Sequence, residues 1–174
     1  TTTREQVLSY IERRGLSHRI DSSNLEPDTR RNFLRLEVLP RIREGMNPAV
    51  REALLREAAM FREADAYLTE EAGRALPGII RAREKGKIAL DAAILQHYPR
   101  LLRKYLFRCA LQELNGEILD LSTAHIDALL SLLMSHTGRS ADIPMGIRAR
   151  RERETVVLER RDIESEPAEA PSKA

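Results

Sequence analysis

"DAAILQHYPRLLRKYLFRCALQELNG", residues 91–116, is the stretch on which the fold turns. Leu102, Leu106, Cys109 and Ala110 recur at helical spacing and lie on one side of a predicted helix. Arg100, Arg103, Lys104 and Arg108 fall at i, i+3, i+4 and i+8, so they occupy a different face. Pro99 breaks the segment or starts its second half, and Gly116 stops it.

The chain upstream is also helical in period. Residues 3–14 carry a capping-box spacing in Thr3 and Gln6 and a buried stripe in Val7, Leu8 and Ile11. Arg13 and Arg14 suit the negative end of that helix, and Gly15 supplies a left-handed stop. After a turn over 21–27, Asp28 is the expected cap of a second helix reaching about Leu39. Phe33, Leu36 and Leu39 are its expected inner face, and Pro40 its end or a kink. Asn47 and Pro48 then restart a helix in which Val50, Leu54, Ala58, Phe61 and Leu68 recur, running to about Leu76. "GIIRAREKGKIALD", 78–91, reads as a hairpin around Gly86.

Downstream of Gly116, "LSTAHIDALLSLLMS" is a further helix capped by Ser122 or Thr123. From Thr137 the period changes. Pro144-Met145-Gly146 marks a turn, followed by alternation and a Val-Val-Leu run, which predicts a small β ribbon. Residues 162–174 are rich in Pro, Ala and Glu and are expected to be disordered. The reading is therefore mainly α, a helical bundle with a small β hairpin and a C-terminal β ribbon, without internal repeats.

At 174 residues and 42% apolar, the chain can bury one sizeable core or two small ones. The net charge of +2 hides a bias, because 25 of 29 basic residues are arginine. Arginine contacts phosphate and carboxylate bidentately, which fits an RNA or nucleotide partner; a GC-rich coding sequence produces the same bias. No apolar run approaches a membrane span, Cys109 has no disulfide partner, and a cytoplasmic protein is expected. The glycines form neither a P-loop nor a dinucleotide fingerprint, and no G-x-S-x-G turn is present. Four dispersed histidines and one cysteine make no metal site, His125 reads as a surface residue, and no catalytic residue is assigned.

Two features remain as candidate binding surfaces. Arg100, Arg103, Lys104 and Arg108 repel one another unless a polyanion lies nearby, or they form a solvated face. Arg148, Arg150 and Arg151 extend this theme, diluted by Glu152 and Glu154. In "DSSNLEPDTRRNFLRLEVLP", 21–40, Asp21, Ser22 and Asn24 close Asx-type turns, and Arg31 and Arg35 follow at i, i+4. Those guanidiniums point toward phosphate oxygens, with Asp21 orienting an arginine or amine, or they stand in solvent beside an ordinary turn.

The order D-S-S-N, then Arg31-Asn32, Arg35 and Leu39-Pro40, followed by "NPAVREALLREAA", closely resembles the tRNA(Ile)-lysidine synthetase family. "LPGII", "KIALDAAILQHYPRLLRKYLFRCALQELNG", "LSTAHIDALLSLL" and "TGRSADIPMGIRARRERETVVLERR" are similar to its substrate-binding domain in order and spacing. The resemblance covers about residues 2–161 and is most specific at 21–40. It implies that 1–47 are the distal end of a catalytic ATP-pyrophosphatase domain and 48–161 a helical tRNA-binding domain. In that family ATP activates C2 of the first anticodon cytidine, and the ε-amine of free lysine attacks to form lysidine and release AMP. The match points Asp21, Ser23, Asn24, Arg31, Asn32 and Arg35 toward the catalytic cleft, and the implied RNA is tRNA(Ile) with a CAU anticodon. Thr29 stands where the family often has an aromatic residue. The family's S-G-G-x-D-S nucleotide loop, its His/Asp-rich motif and its additional C-terminal domain are not in these residues. ATP and Mg therefore belong to the parent enzyme, none is expected to bind this chain alone, and an inactive fragment is the expectation; self-pairing stays open. The alternatives are a non-catalytic helical protein-interaction module and a degenerate paralogue.

Overall fold

The computed structural model describes residues 4–16 and 29–161. The chain divides into two compact units, residues 1–60 and 61–174.

In the first unit, α1 (Arg4–Arg13) ends where Gly15 takes φ 59°. There the Gly15 and Leu16 N–H groups donate to the Glu12 and Ile11 carbonyls, so the last turn is satisfied. Thr3, half of the expected capping box, lies outside the described residues, as does Asp28. The cap of α2 (Arg30–Phe33) is Thr29, whose Oγ1 accepts from the Asn32 N–H at 3.2 Å.

The helix does not end at Pro40, contrary to one reading of the sequence. It widens into a π turn (Leu34–Val38) and continues as α3 (Leu39–Gly45). A proline ring collides with the carbonyl four residues back in an α ladder and offers no N–H. Here the Leu39 N–H reaches back to the Leu34 carbonyl, one residue further than in an α-helix, and the widened turn carries Pro40 into the start of α3. Asn47 Oδ1 then accepts from the Ala49 N–H at 2.9 Å and opens α4 (Val50–Ala75), as its sequence implied.

The expected inner faces in this part of the chain are not buried. Phe33 is 45% exposed, Leu36 36%, Leu54 53% and Phe61 68%. Periodicity reports the chemistry of a helix face, not whether anything covers it.

In the second unit, a 3₁₀ turn (Leu76–Gly78) leads from α4 into β1 (Ile80–Glu84) and β2 (Lys87–Asp91), with Gly86 at φ 75° in the hairpin turn. α5 (Ala92–His97), α6 (Arg100–Asn115) and α7 (Thr123–Leu133) follow, then β3 (Ser140–Ile143), β4 (Ile147–Arg151) and β5 (Thr155–Arg160). Met145 and Gly146 both take positive φ in the β3–β4 turn. Hairpin and ribbon are not separate pieces. They form one antiparallel sheet, order β1-β2-β5-β4-β3, joined where Ile88 pairs with Leu158 and Leu90 with Val156. β2 and β5 are the most apolar strands and pair inside the sheet, which leaves β1 and β3 as its edges.

One face of the sheet packs beneath α5, α6 and α7. Ile88, Leu90, Ala149, Val156 and Leu158 meet Leu95, Leu106, Phe107, Leu111, Leu129 and Leu133 in a single core. The other face carries a cross-strand row whose register is Asp142, Arg148, Glu159, Lys87, Glu84, alternating in sign across all five strands.

Asp91 ties the sheet to the helices. Its buried carboxylate accepts from the Ile94 N–H at 2.9 Å, capping α5, and from Arg81 Nε at 2.6 Å. Arg81 also bridges to Glu154 ahead of β5. The Ile94 N–H bond first, and Arg81 second, hold the Asp91 carboxyl below the ordinary carboxylate range. Because the folded value lies below the unfolded one of about 3.9, this stability is complete above that pH and is lost as pH falls through the folded value. Asp91→Ala is expected to cost about 1–2 kcal/mol at pH 7 through the lost cap. In urea titrations from pH 7 to 3, the gap between Asp91→Ala and the parent chain should narrow toward low pH; a constant gap contradicts the linkage.

Candidate nucleic-acid interface

Asp21, Ser23 and Asn24 lie outside the described residues. Of the rest of that motif, Arg31 and Arg35 are exposed and Asn32 is half-buried, its N–H held by Thr29. Arg35 lines an open cleft of about 430 Å³ with Leu39, Pro40, Arg43, Val50 and Arg51. Arg31, on α2, is not among its lining residues, whereas Arg35 lies within the π turn. Positions 35, 39 and 43 follow one another at intervals of four, and the Asn47 turn returns Val50 and Arg51 to the same cleft. Sequence reading missed Arg43 and Arg51, although the spacing Arg35-Leu39-Arg43 was available as a signal.

The α6 cations differ among themselves once folded. Arg100 and Lys104 both reach Asp127 Oδ1 of α7, at 3.2 and 3.1 Å. Arg103 Nε donates to the Tyr98 carbonyl at 2.8 Å and closes the α5–α6 junction. Arg108 is exposed and lines a smaller recess with Ile118, Asp120, Leu121 and Ser122. The stripe thus has a counter-ion that its own helix does not show, contributed by residue 127. If Asp127 competes with an RNA for Arg100 and Lys104, Asp127→Asn should tighten binding of that RNA about tenfold in low salt and steepen its salt dependence by nearly two counterions. Its thermal stability should barely change, because exposed pairs contribute about 0–1 kcal/mol. Unchanged or weaker binding would show that these two cations do not face the RNA.

On β4, Arg148 sits in the charge row beside Asp142, at 4.0 Å, and Arg150 pairs with Glu152 at 2.8 Å. Arg151 is half-buried and spends its guanidinium on the turn, donating to the carbonyls of Glu152, Arg153 and Thr155. It holds the β4–β5 connection closed.

The remaining polar groups near α6 are packing groups. Tyr105 donates to Asp65 of α4 at 2.7 Å, and that bond, with burial, raises the phenol above its usual value. The Cys109 thiol contacts the Thr69 carbonyl at 3.9 Å and is raised by burial, so it is a poor nucleophile. His125 completes a capping box with Ser122. Among the described residues no three His, Cys, Asp or Glu side chains cluster to hold a metal, and no helix is long and apolar enough to cross a membrane.

Residues 90–157, from the end of β2 into β5, match the family model of the TilS substrate binding domain. The chain is 31% identical over 153 residues to a tRNA(Ile)-lysidine synthase of Symbiobacterium thermophilum, an alignment spanning 84% of this chain and 32% of that protein. It is 31% identical over 145 residues to one of Thermosynechococcus vestitus, 83% of this chain and 41% of that protein. To one of Caldanaerobacter subterraneus it is 32% identical over 150 residues, 84% and 31%. The chain spans about a third of the length of the curated relatives it matches. The matched domain coincides with the sheet-and-helix core of the second unit and the relatives align with most of the chain, so this protein belongs to the tRNA(Ile)-lysidine synthase family.

Proposed function

We propose that these residues bind and orient tRNA(Ile) for the ATP-dependent attachment of lysine to C2 of its wobble cytidine, as part of a tRNA(Ile)-lysidine synthase. The observation that carries this reading is the substrate-binding-domain match over the compact core of the second unit. On this reading residues 1–47 are the distal end of the catalytic domain and 48–161 the tRNA-binding domain. Exposed Val7, Tyr10, Leu16, Phe33 and Leu34 support the first assignment, as apolar surface that a catalytic body would cover. Asp21, Ser23, Asn24, Arg31, Asn32 and Arg35 then face the catalytic cleft.

Among the α6 and β4 cations, Arg108 leads, because Arg103 and Arg151 are spent on backbone carbonyls. Arg100, Lys104, Arg148 and Arg150 contact phosphate by exchanging an acidic neighbour for it. On this reading ATP and Mg are held by the part of the enzyme that carries the family's glycine-rich nucleotide loop, a motif not found in these residues. On this reading adenylation needs that part as well.

Filter binding of tRNA(Ile) transcript at low salt tests the proposal. Retention that Arg108→Glu weakens supports it, and no retention ends it. A second reading, a protein-interaction module, is favoured by exposed Leu54, Leu55, Met60 and Phe61; it expects Arg108→Glu to leave RNA retention unchanged.

A further inference from the structure

The cleft lined by Arg35, Leu39, Pro40, Arg43, Val50 and Arg51 has an architecture that the family motif alone does not describe. Its polar lining is three arginines, its apolar floor a leucine, a proline and a valine, and among the described residues no carboxylate lines it. Of the acids near it in sequence, one pairs with an arginine outside the cleft and one with a cleft arginine. Glu37 pairs with Arg41 at 3.7 Å, and Glu44 meets Arg43 at 3.9 Å, both in exposed, loose geometry. At about 430 Å³ the cleft falls within the roughly 300–1,000 Å³ typical of small-ligand sites. It is wider than a phosphate needs, and its floor has nothing to offer a phosphate.

We infer that this cleft receives one unpaired nucleotide of an RNA, its base over Leu39, Pro40 and Val50 and its flanking phosphates on Arg43 and Arg51. This rests on the RNA-binding reading above and deepens it. The chemistry divides cleanly. A duplex buries its base faces in its own stack, so an apolar floor between guanidiniums recognises only a nucleotide whose base is free. Planar guanidinium serves both parts, pairing bidentately with phosphate oxygens and stacking on a base face, which an ammonium does not reproduce. The shape of the site comes from the chain's departures from a regular helix. Arg35 lies within the π turn, Pro40 offers the floor no N–H donor, and the Asn47-capped turn brings Arg51 to the same lining.

The test uses the full chain and two fluorescent RNAs, a hairpin with a seven-nucleotide loop and the same stem as a blunt duplex. Arg43→Gln/Arg51→Gln is expected to lower hairpin affinity about 10–100-fold and the salt slope by about 1.4, with duplex binding unchanged. Arg43→Lys/Arg51→Lys should recover the slope and only part of the affinity, which a purely structural role for these arginines would not produce. Equal loss on both RNAs, or no loss on the hairpin, overturns the inference while leaving tRNA binding by other surfaces intact. Millimolar ATP displacing the hairpin from the parent chain assigns the cleft to a free nucleotide and overturns the RNA assignment. If the parent chain binds neither RNA, this inference and the proposed function both fall.

Discussion

Affinity of the chain for tRNA(Ile) is expected to drop about 10²–10³-fold between 50 and 200 mM salt, the behaviour of a surface that neutralises about four or five phosphates. The folded chain sets this number well below what its 29 basic residues imply. Two α6 cations share Asp127, Arg103 and Arg151 satisfy carbonyls, and Arg148 stands in an alternating row of acids and bases. The cations on which the binding reading rests are Arg108 and the cleft arginines Arg43 and Arg51, joined by Arg100 and Lys104 when these exchange Asp127 for phosphate. A fluorescence titration at four salt concentrations measures the slope. A flat response would mean that binding, if present, is not made through these cations, and the functional reading would lose its physical basis.

Phe107→Ala is expected to destabilise the second unit by about 3–5 kcal/mol, the range for deleting a buried aromatic side chain. Phe107 has no solvent exposure and sits on α6 within the core that Leu90, Leu95, Leu129 and Leu158 also build. Strands and helices both contribute to that core, so relaxation is expected to fill little of the space. Urea unfolding followed by far-ultraviolet circular dichroism gives the change. Against a domain stability of 5–15 kcal/mol this loss is large enough to lower tRNA binding at 37 °C through the unfolded fraction. A loss under 1 kcal/mol would mean that α6 does not bury the residue in solution. Phe61→Ala, at 68% exposure, is the internal control and should change stability by no more than about 0.5 kcal/mol.

Helices, their caps and the hairpin were legible because they are local. Gly15 and Gly116 at positive φ, Asn47 capping the next helix, and Ser122 in its capping box all act within a few residues of themselves. The helix through Pro40 was not legible, because a proline is compatible with an ending or with a π turn, and the wider hydrogen-bond register decides between them. Burial of Leu54 and Phe61 was misread for another reason. Their spacing is amphipathic, but covering a face needs a second surface.

By itself the sequence determined the order and type of the elements, the apolar stripe of α6 and the family resemblance at 21–40, since each depends on spacing along the chain. Only the tertiary structure decided that hairpin and ribbon merge into one five-stranded sheet, that Asp127 answers Arg100 and Lys104, and that Arg35, Arg43 and Arg51 share a cleft. The physical reason is common to all three: strand pairing, ion pairing and a shared cleft depend on distance in space, and the residues they bring together lie from under ten to more than seventy positions apart in the chain.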